Sequence, residues 1–382
     1  METAIVSDFS SFQSMRAEWN ELADNFASPL LRHEWVSACI EALYPKGALP
    51  AIFIVHSGGR LRAAAPLMSV RRIVMRDLET PGNALLEPSG FIYDGEEALM
   101  ILLDAIRETR RSFRLARLSR DAKETLALKY SLAKGCVHME RDGASSLRIP
   151  LKRTWKDFEA SISSGRRSDL RRFRRRAESL GEVTFEAVHP DVHTVSKPME
   201  ELLRIEASGW KGQSRTAILS QPHIRDFYER YARSAAEQGI LRFFFLRIDG
   251  TIIAARMAVE HNRRLWDLRL GCDESWSRCA PGVLLTQETL RYAVDRGLDA
   301  YEFLGSAEAW ERHWPCDEDH YVSFRTYPYS LKGQFAFAQD GCRVAFRKAA
   351  SAMQAGFDWA MRKMVALPGA TLYFEEALPL IH

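Results

Sequence analysis

Apolar and polar positions follow two periods along this chain, and the switches between them mark its elements. From Leu241 the period is two. Leu241–Ile248 and Thr251–Glu260, rich in Phe and Ile, meet at Asp249-Gly250, a two-residue hairpin signal. His261-Asn262-Arg263-Arg264 interrupts the alternation, and Leu265–Cys272 resumes it with Trp266, Leu268 and Leu270 on one face. Ser277–Gly282 reads as a turn. Val283–Arg296 takes the helical period through Leu284, Leu290 and Val294, with Gly297 as its stop. Ala300–Leu304 is a short buried strand that runs into Gly305-Ser306-Ala307-Glu308-Ala309-Trp310. Strand, turn, helix start and strand is an order that presents free backbone N–H groups to an anion.

The first part of the chain repeats that order in different residues. Ser14–Phe26 reads as one helix through Met15, Trp19, Leu22 and Phe26, and Trp35, Cys39 and Leu43 form a second stripe after Ser28-Pro29. Ala51–Val55 and Leu61–Val70 flank Ser57-Gly58-Gly59-Arg60 as a hairpin. Thr80–Ser89 is a loop, Gly95–Arg110 a helix and Phe113–Leu118 a strand. The two helix starts differ: Asp94, as N-cap, and Glu96-Glu97 would repel a phosphate, whereas the helix after Pro281-Gly282 has no acid in its first turn. Any cofactor is therefore expected on the second half.

Between the halves, Asp121–Gly135 is predicted helical and Ser146–Leu151 a strand that crosses over. Helices are predicted at Trp155–Ile162, Arg167–Leu180, Met199–Trp210 and Gln221–Gln238, with a strand at Gly181–Val188. Val344–Met364 is a last helix with Phe346, Ala350, Met353, Phe357, Met361 and Met364 on one stripe. The expectation is an α/β chain with mixed central sheets in three parts: 1–147, scaffold or acceptor side; 148–330, donor and catalysis; 331–382, a helical tail.

Composition narrows the class. The 382 residues are 46% hydrophobic and 27% charged, enough for packed cores and unlike a disordered chain. A net charge of +3 makes any anion site local, and no DNA partner is expected. The six cysteines include no C-x-x-C pair, which suits reduced thiols in a cytoplasmic protein. Met1–Phe12 has neither the basic region nor the apolar run of a signal peptide.

Several short pieces, in order, resemble the CelD-type cellulose-biosynthesis acetyltransferases of the GCN5-related N-acetyltransferase (GNAT) superfamily. They are Trp19-Asn20-Glu21-Leu22, Ser28-Pro29-Leu30 through Glu34-Trp35, Ala65-Pro66-Leu67, and Arg167 through Leu170-Arg171-Arg172. Further on come Gly271-Cys272-Asp273, Pro281-Gly282-Val283-Leu284-Leu285 and Phe303-Leu304-Gly305 through Glu308, Trp310 and Trp314. The plan is also similar to that of the Fem-type transferases, which carry two such domains in tandem. The resemblance implies two GNAT-like domains and an acyl thioester donor, acetyl-CoA above all, as co-substrate. It implies acyl transfer to an amine or hydroxyl of a sugar or other cell-envelope or exopolysaccharide precursor. The superfamily's phosphate turn, Gln/Arg-x-x-Gly-x-Gly/Ala, falls here on Ser277-Arg278-Cys279-Ala280-Pro281-Gly282. Ala280 replaces the first glycine, and Pro281 removes an N–H. That change keeps two alternatives open: an acyl-carrier-protein or aminoacyl-tRNA donor, and a non-catalytic module that regulates polysaccharide synthesis.

The candidate donor residues are Arg278, Ala280, Gly282 and Val283. Acyl transfer needs a base for the incoming amine or hydroxyl. Glu308, just past the last strand and among Trp310 and Trp314, is the first candidate, since apolar walls raise a carboxyl's pKa. Tyr301 is a candidate for protonating the leaving thiolate, and Asp267 is a further candidate that a cross-strand Arg pair would equally explain. Seven arginines (166, 167, 171, 172, 174, 175, 176) fall within eleven residues with Asp169 as the one acid, while Leu170, Phe173, Ala177 and Leu180 form the apolar stripe. Arg167, Arg171, Arg172 and Arg175 are thus candidates for an acceptor phosphate, a carrier protein or tRNA. His313, Cys316 and His320 fit no zinc spacing, and no metal is expected. Arg343, Arg347, Lys348, Arg362 and Lys363 around the last stripe suggest a peripheral membrane or synthase contact.

Overall fold

The period-two runs become the centre of a mixed seven-stranded sheet in the computed structural model, which describes residues 1–44, 47–72, 76–132, 136–209, 217–342, 346, 349 and 353. Its strand order is Val183–Val188, Leu241–Ile248, Thr251–His261, Arg264–Cys272, Ala300–Glu302, Ser146–Pro150, Asp317–Asp319. All neighbours are antiparallel except Arg264–Cys272 and Ala300–Glu302, which run parallel. The hairpin turns where Asp249 (φ 45°) and Gly250 (φ 75°) take left-handed geometry, as the dipeptide requires. Ser164–Glu178, Ser196–Ser208, Pro222–Glu237 and Pro281–Asp295 are helices of this half.

The first half splits its strands between two sheets. Glu2–Val6, Ile52–Ser57, Arg60–Ala65 and Ile92–Tyr93 form one; Leu49–Pro50, Met68–Arg71, Arg76–Glu79, Phe113–Ser119, Tyr321–Pro328 and Cys136–Asp142 form the other. The run expected as a single strand, Leu61–Val70, is broken at Pro66-Leu67, because proline cannot donate to a ladder. Tyr321–Pro328 returns from the far end of the chain to pair with Phe113–Ser119.

Other differences have local causes. The first helix is two, Phe9–Ser14 and Arg16–Ala23: Asp8 caps the first by accepting from the Ser11 N–H, and Met15 (ψ 2°) leaves helical geometry between them. Gly95, not Asp94, is the N-cap of Glu96–Glu108; Asp94 pairs with Arg62 at 3.0 Å. Leu180, expected on the apolar stripe, is exposed beyond the end of Ser164–Glu178. Trp210 lies outside the described residues.

Met1–Thr326 forms one compact unit. A core shared by both halves explains it: Trp35 of the His33–Leu43 helix meets Phe227 and Tyr231 edge-on at 4.9 and 4.8 Å, within a cluster that holds Leu30, Cys39, Phe243 and Met257. A second unit runs Tyr327–His382, in which 331–342 are helical and the Tyr327 hydroxyl donates to Asp340. Most of the expected Phe346–Met364 stripe, with Arg343, Arg347, Lys348, Arg362 and Lys363, lies outside the described residues.

Candidate active site

Arg264–Cys272 and Ala300–Glu302 stay paired for only three residues, Arg264↔Ala300 to Trp266↔Glu302. Past that point they separate. Arg264–Cys272 remains bonded to Thr251–His261, with a bulge at Met257/Ala258. The other chain turns away through Leu304 (φ 48°) and Gly305 (φ 60°). A cavity of about 460 Å³ opens in the wedge, walled by Asp267–Glu274, the turn at Ser277–Val283 and the segment Phe303–Glu311. Glu87 of the first half and Glu206 also face it.

Asp267 and Tyr301 are held beside the wedge as parts of one buried network. The Arg256 side chain is fully buried and pairs with Asp267 at 3.0 Å, and its Nη2 donates to Thr286 at 2.9 Å. The Tyr301 hydroxyl donates to Asp267 Oδ2 at 2.9 Å. Burial pushes the Tyr301 phenol well above its usual range, which makes it a poor proton source. The cross-strand arginine expected for Asp267 is therefore present, on the neighbouring strand.

Glu308 lines the cavity but is exposed, and its Oε2 accepts from the Trp310 indole at 2.6 Å. Three residues on, Glu311 is buried at 7% exposure and its Oε2 accepts from the Glu308 N–H at 2.9 Å. Burial, with the charges of Asp267 and Glu308 adding to it against that N–H bond, pushes the Glu311 carboxyl up to about 7. Sequence reasoning missed Glu311. Its position on a short Glu311–His313 turn next to Trp310 and Trp314 was the available signal.

Glu87 was missed as well. Its Oε2 accepts from the Gly305 N–H at 2.9 Å, across the two halves. Burial raises its carboxyl above the usual range, and Arg117 and Arg269 pull it back. The loop that carries it is bent by a left-handed Leu86 (φ 57°), whose carbonyl takes the Arg117 guanidinium. Both arms of this contact, Leu86-Glu87 and Leu304-Gly305, thus contain non-glycine residues in a costly conformation.

The turn expected to face a donor follows Glu274–Cys279, a short 3-10 segment. Ala280 (φ 49°) takes the left-handed conformation that glycine adopts freely. Pro281 is the first residue of the helix Pro281–Asp295, which has no acid in its first turn. The Ala280 and Val283 N–H groups donate within the turn, to Ser277 O and Ala280 O, both at 3.0 Å. Gly282 has a packing role: a Cβ there would lie 2.8 Å from the Cys272 sulfur, so only glycine lets the helix start approach the strand. Arg278 is exposed beside it.

The arginine helix Ser164–Glu178 packs against the same turn. Arg166 lies buried over the Trp314 ring at 5.0 Å. Arg167 caps the preceding helix by donating to Glu159, Ala160 and Ile162 carbonyls. Arg172 pairs with Asp169, and Arg174 with Glu178 and Glu288. Arg176 donates to the Arg278 carbonyl at 3.3 Å. Arg171 and Arg175 are exposed. Among the described residues no three His, Cys, Asp or Glu side chains come together as metal ligands.

Residues 164–312 match a family model described as an acetyltransferase (GNAT) domain. The second half of the chain therefore carries a GNAT domain. No relative was found among curated proteins. In fold, the chain is similar to the crystal structure of FemX, with 14% identity and a TM-score of 0.59 over 88% of this chain and 98% of that one. It is also similar to the C-terminal domain (DUF2156) of a putative lysylphosphatidylglycerol synthetase from Agrobacterium fabrum, at 13% identity, TM-score 0.51, and 82% and 92% coverage. A protein of unknown function from Bacteroides thetaiotaomicron gives 12% identity and TM-score 0.51, over 85% of this chain and 99% of that one. At such identities the likeness is one of fold. Among the described residues the chain has no helix long and apolar enough to cross a membrane.

Proposed function

We propose that this acyltransferase moves an acyl group, in the simplest case acetyl, from coenzyme A to an amine or hydroxyl of a sugar or cell-envelope precursor. The observation that carries the reading is the wedge cavity with Glu311 on its wall, a carboxyl raised to about 7. A base near neutrality both holds and releases a proton at working pH. The thioester enters the wedge, with its phosphates towards Ala280–Val283 and its pantetheine arm along Leu268–Cys272. The acceptor's N or O attacks the carbonyl carbon and gives its proton to Glu311. A backbone N–H on the diverging strand edge holds the oxyanion. The C–S bond then breaks, and the proton held by Glu311 passes to the departing thiolate.

Glu308, at the exposed rim, positions the acceptor. Asp267 and Tyr301 shape the wall through Arg256 and transfer no proton themselves. In this reading residues 1–147 are the acceptor side and 148–330 the donor side, with Glu87 the first half's contribution to the shared cavity. The CelD-type motifs support the precursor class of acceptor. The turn's internally used N–H groups favour, as a second reading, a carrier-protein or aminoacyl-tRNA donor. Calorimetric titration with acetyl-CoA, free coenzyme A and acyl carrier protein tests the choice. Saturable binding of both coenzyme A forms is expected; binding of carrier protein alone would replace the donor.

A further inference from the structure

The wall of the wedge cavity is unevenly charged. Seven of its residues carry a carboxylate, and Arg269 is its one cationic side chain among the described residues. Arg269 is already committed: its Nε and Nη2 lie 2.9 and 2.7 Å from Glu206 Oε1. Asp267 is matched from behind the wall by Arg256 at 3.0 Å. Glu87, Glu308 and Glu311 are left without an ion pair among the described residues. Each is held by a neutral N–H instead, that of Gly305, of the Trp310 indole and of Glu308 in turn. Two of the three are set deep. Glu311 is 7% exposed, and burial is the main cause that raises the Glu87 carboxyl. In both, Oε2 takes the N–H, and Oε1 takes no hydrogen bond among the described residues. Arg117 and Arg269 act on Glu87 only at longer range, since their guanidinium groups are spent on the Leu86 carbonyl and on Glu206. Asp267 repels charge on both Glu87 and Glu311, which puts it within electrostatic reach of each. A carboxylate taken out of water without a counter-charge is costly. A cationic ligand offsets that cost, and an anionic one adds to it.

We infer that the acceptor is a diamino compound: one nitrogen reacts at Glu311, and a second ammonium, which does not react, sits on Glu87. The inference rests on the acyl-transfer reading above and narrows its acceptor from any amine or hydroxyl to a molecule with two amino groups. A monoamine cannot serve both carboxyls. Its nitrogen gives its proton to Glu311 and becomes a neutral amide, and Glu87 stays without a counter-charge. A second ammonium supplies that charge and keeps it through the reaction. Glu87 is then a specificity residue delivered by the first half, with one oxygen fixed by the Gly305 N–H and the other left for the ligand. Glu308, exposed at the rim, adds to the field.

The test is acetylation by the full chain, with acetyl-CoA, of three acceptors of similar length: 1,5-diaminopentane, 5-amino-1-pentanol and 5-aminopentanoate. The far end is cationic in the first, neutral in the second and anionic in the third. The diamine is expected to exceed the amino alcohol in kcat/KM by at least about tenfold, the scale of one charge-assisted contact, and chiefly through KM. The amino acid should rank last. Glu87→Gln keeps an oxygen for the Gly305 N–H, and it should bring the ratio of diamine to amino alcohol towards unity by raising the diamine's KM. If that variant fails to fold, the wild-type order of the three acceptors decides. Equal use of the diamine and the amino alcohol by the wild type overturns the inference while acyl transfer stands. A ratio that survives Glu87→Gln overturns it as well, by showing that Glu87 only holds the Gly305 turn. If the wild type binds acetyl-CoA by calorimetry and acetylates none of the three, the diamine acceptor is wrong. Failure to bind acetyl-CoA at all removes the donor reading and the inference with it.

Discussion

Two helices in this chain start after a hairpin and a loop, and they start with opposite character. Glu96–Glu108 begins with Glu96 and Glu97, capped by a left-handed Gly95. Pro281–Asp295 begins with Pro281, Gly282 and Val283, without an acid, and a cavity opens at its mouth. The first start satisfies its own positive end with its own carboxylates. The second leaves that end for something else. One architecture is thus used twice with opposite charge at its helix start, and the acid-free start borders the cavity. The halves also differ in their strands: the second keeps one sheet and splits it into a wedge, while the first divides its strands between two sheets. What the first half adds to the cavity wall is a loop, the one that brings Glu87 to Gly305.

The sharpest break in this comparison is at Glu311. Glu311→Gln should leave donor affinity intact and lower turnover by about 10²- to 10⁴-fold, the range of a lost general base. The wild-type rate should rise with pH through a limb near 7 that the variant lacks. Glu308→Gln should cost far less in turnover and act on acceptor KM; a larger loss at Glu308 than at Glu311 would exchange their roles.

The same carboxyl predicts a stability change. Its folded pKa is raised from 4.5 to about 7, so the folded state binds the proton more tightly than the unfolded one. The resulting stabilisation is complete below about 4.5 and is lost as pH rises through 7. It amounts to about 3 kcal/mol at most. Glu311→Gln should thus melt higher than wild type at pH 8, with the gap closing towards pH 5. Thermal denaturation across that range would show it, and a pH-independent difference would contradict it.

Copying the first helix's charge onto the second tests the contrast directly. Val283→Glu should weaken coenzyme A about three- to tenfold, the scale of one charge at a helix end. Glu96→Ala with Glu97→Ala should leave that affinity unchanged. Gly282→Asp is a blunter tool, since any Cβ meets the Cys272 sulfur and the variant should lose stability together with binding. Ala280→Gly relieves a left-handed alanine and should stabilise the fold by about 1 kcal/mol, read by urea denaturation. The smallest effect is expected from changing Arg171, Arg172 and Arg175 to Ala. These side chains are exposed, and the apolar stripe is untouched. Coenzyme A affinity should fall by about twofold at low salt and not measurably at high salt. A loss of about tenfold or more would place an anion site on this helix.

The elements legible in advance were those whose signals are local. Asp249-Gly250 specifies its hairpin because both residues take positive φ with little cost, and Gly297 ends its helix by the same property. The acid-free start of Pro281–Asp295 was readable because a helix end is influenced only by its first turn. The break at Pro66-Leu67 was also local and went unused in favour of the longer apolar run.

Burial is not local, and there the sequence alone stopped. Glu308 and Glu311 stand three residues apart beside the same tryptophans, and nothing in their spacing says which one the fold covers. Desolvation is a sum over everything packed around a group, so only the tertiary structure could raise Glu311 to about 7 and leave Glu308 at the rim. Glu87 lies 218 residues from the Gly305 N–H it accepts, and the Trp35 packing against Phe227 and Tyr231 joins halves that periodicity can only describe separately. Periodicity and turn chemistry determined most of the strands, the helix ends and the acid-free turn before Pro281–Asp295. Which carboxyls meet in the cavity, and which of the helix's seven arginines find partners, were decided by long-range packing, because the relevant energies depend on neighbours that the chain brings together only when folded.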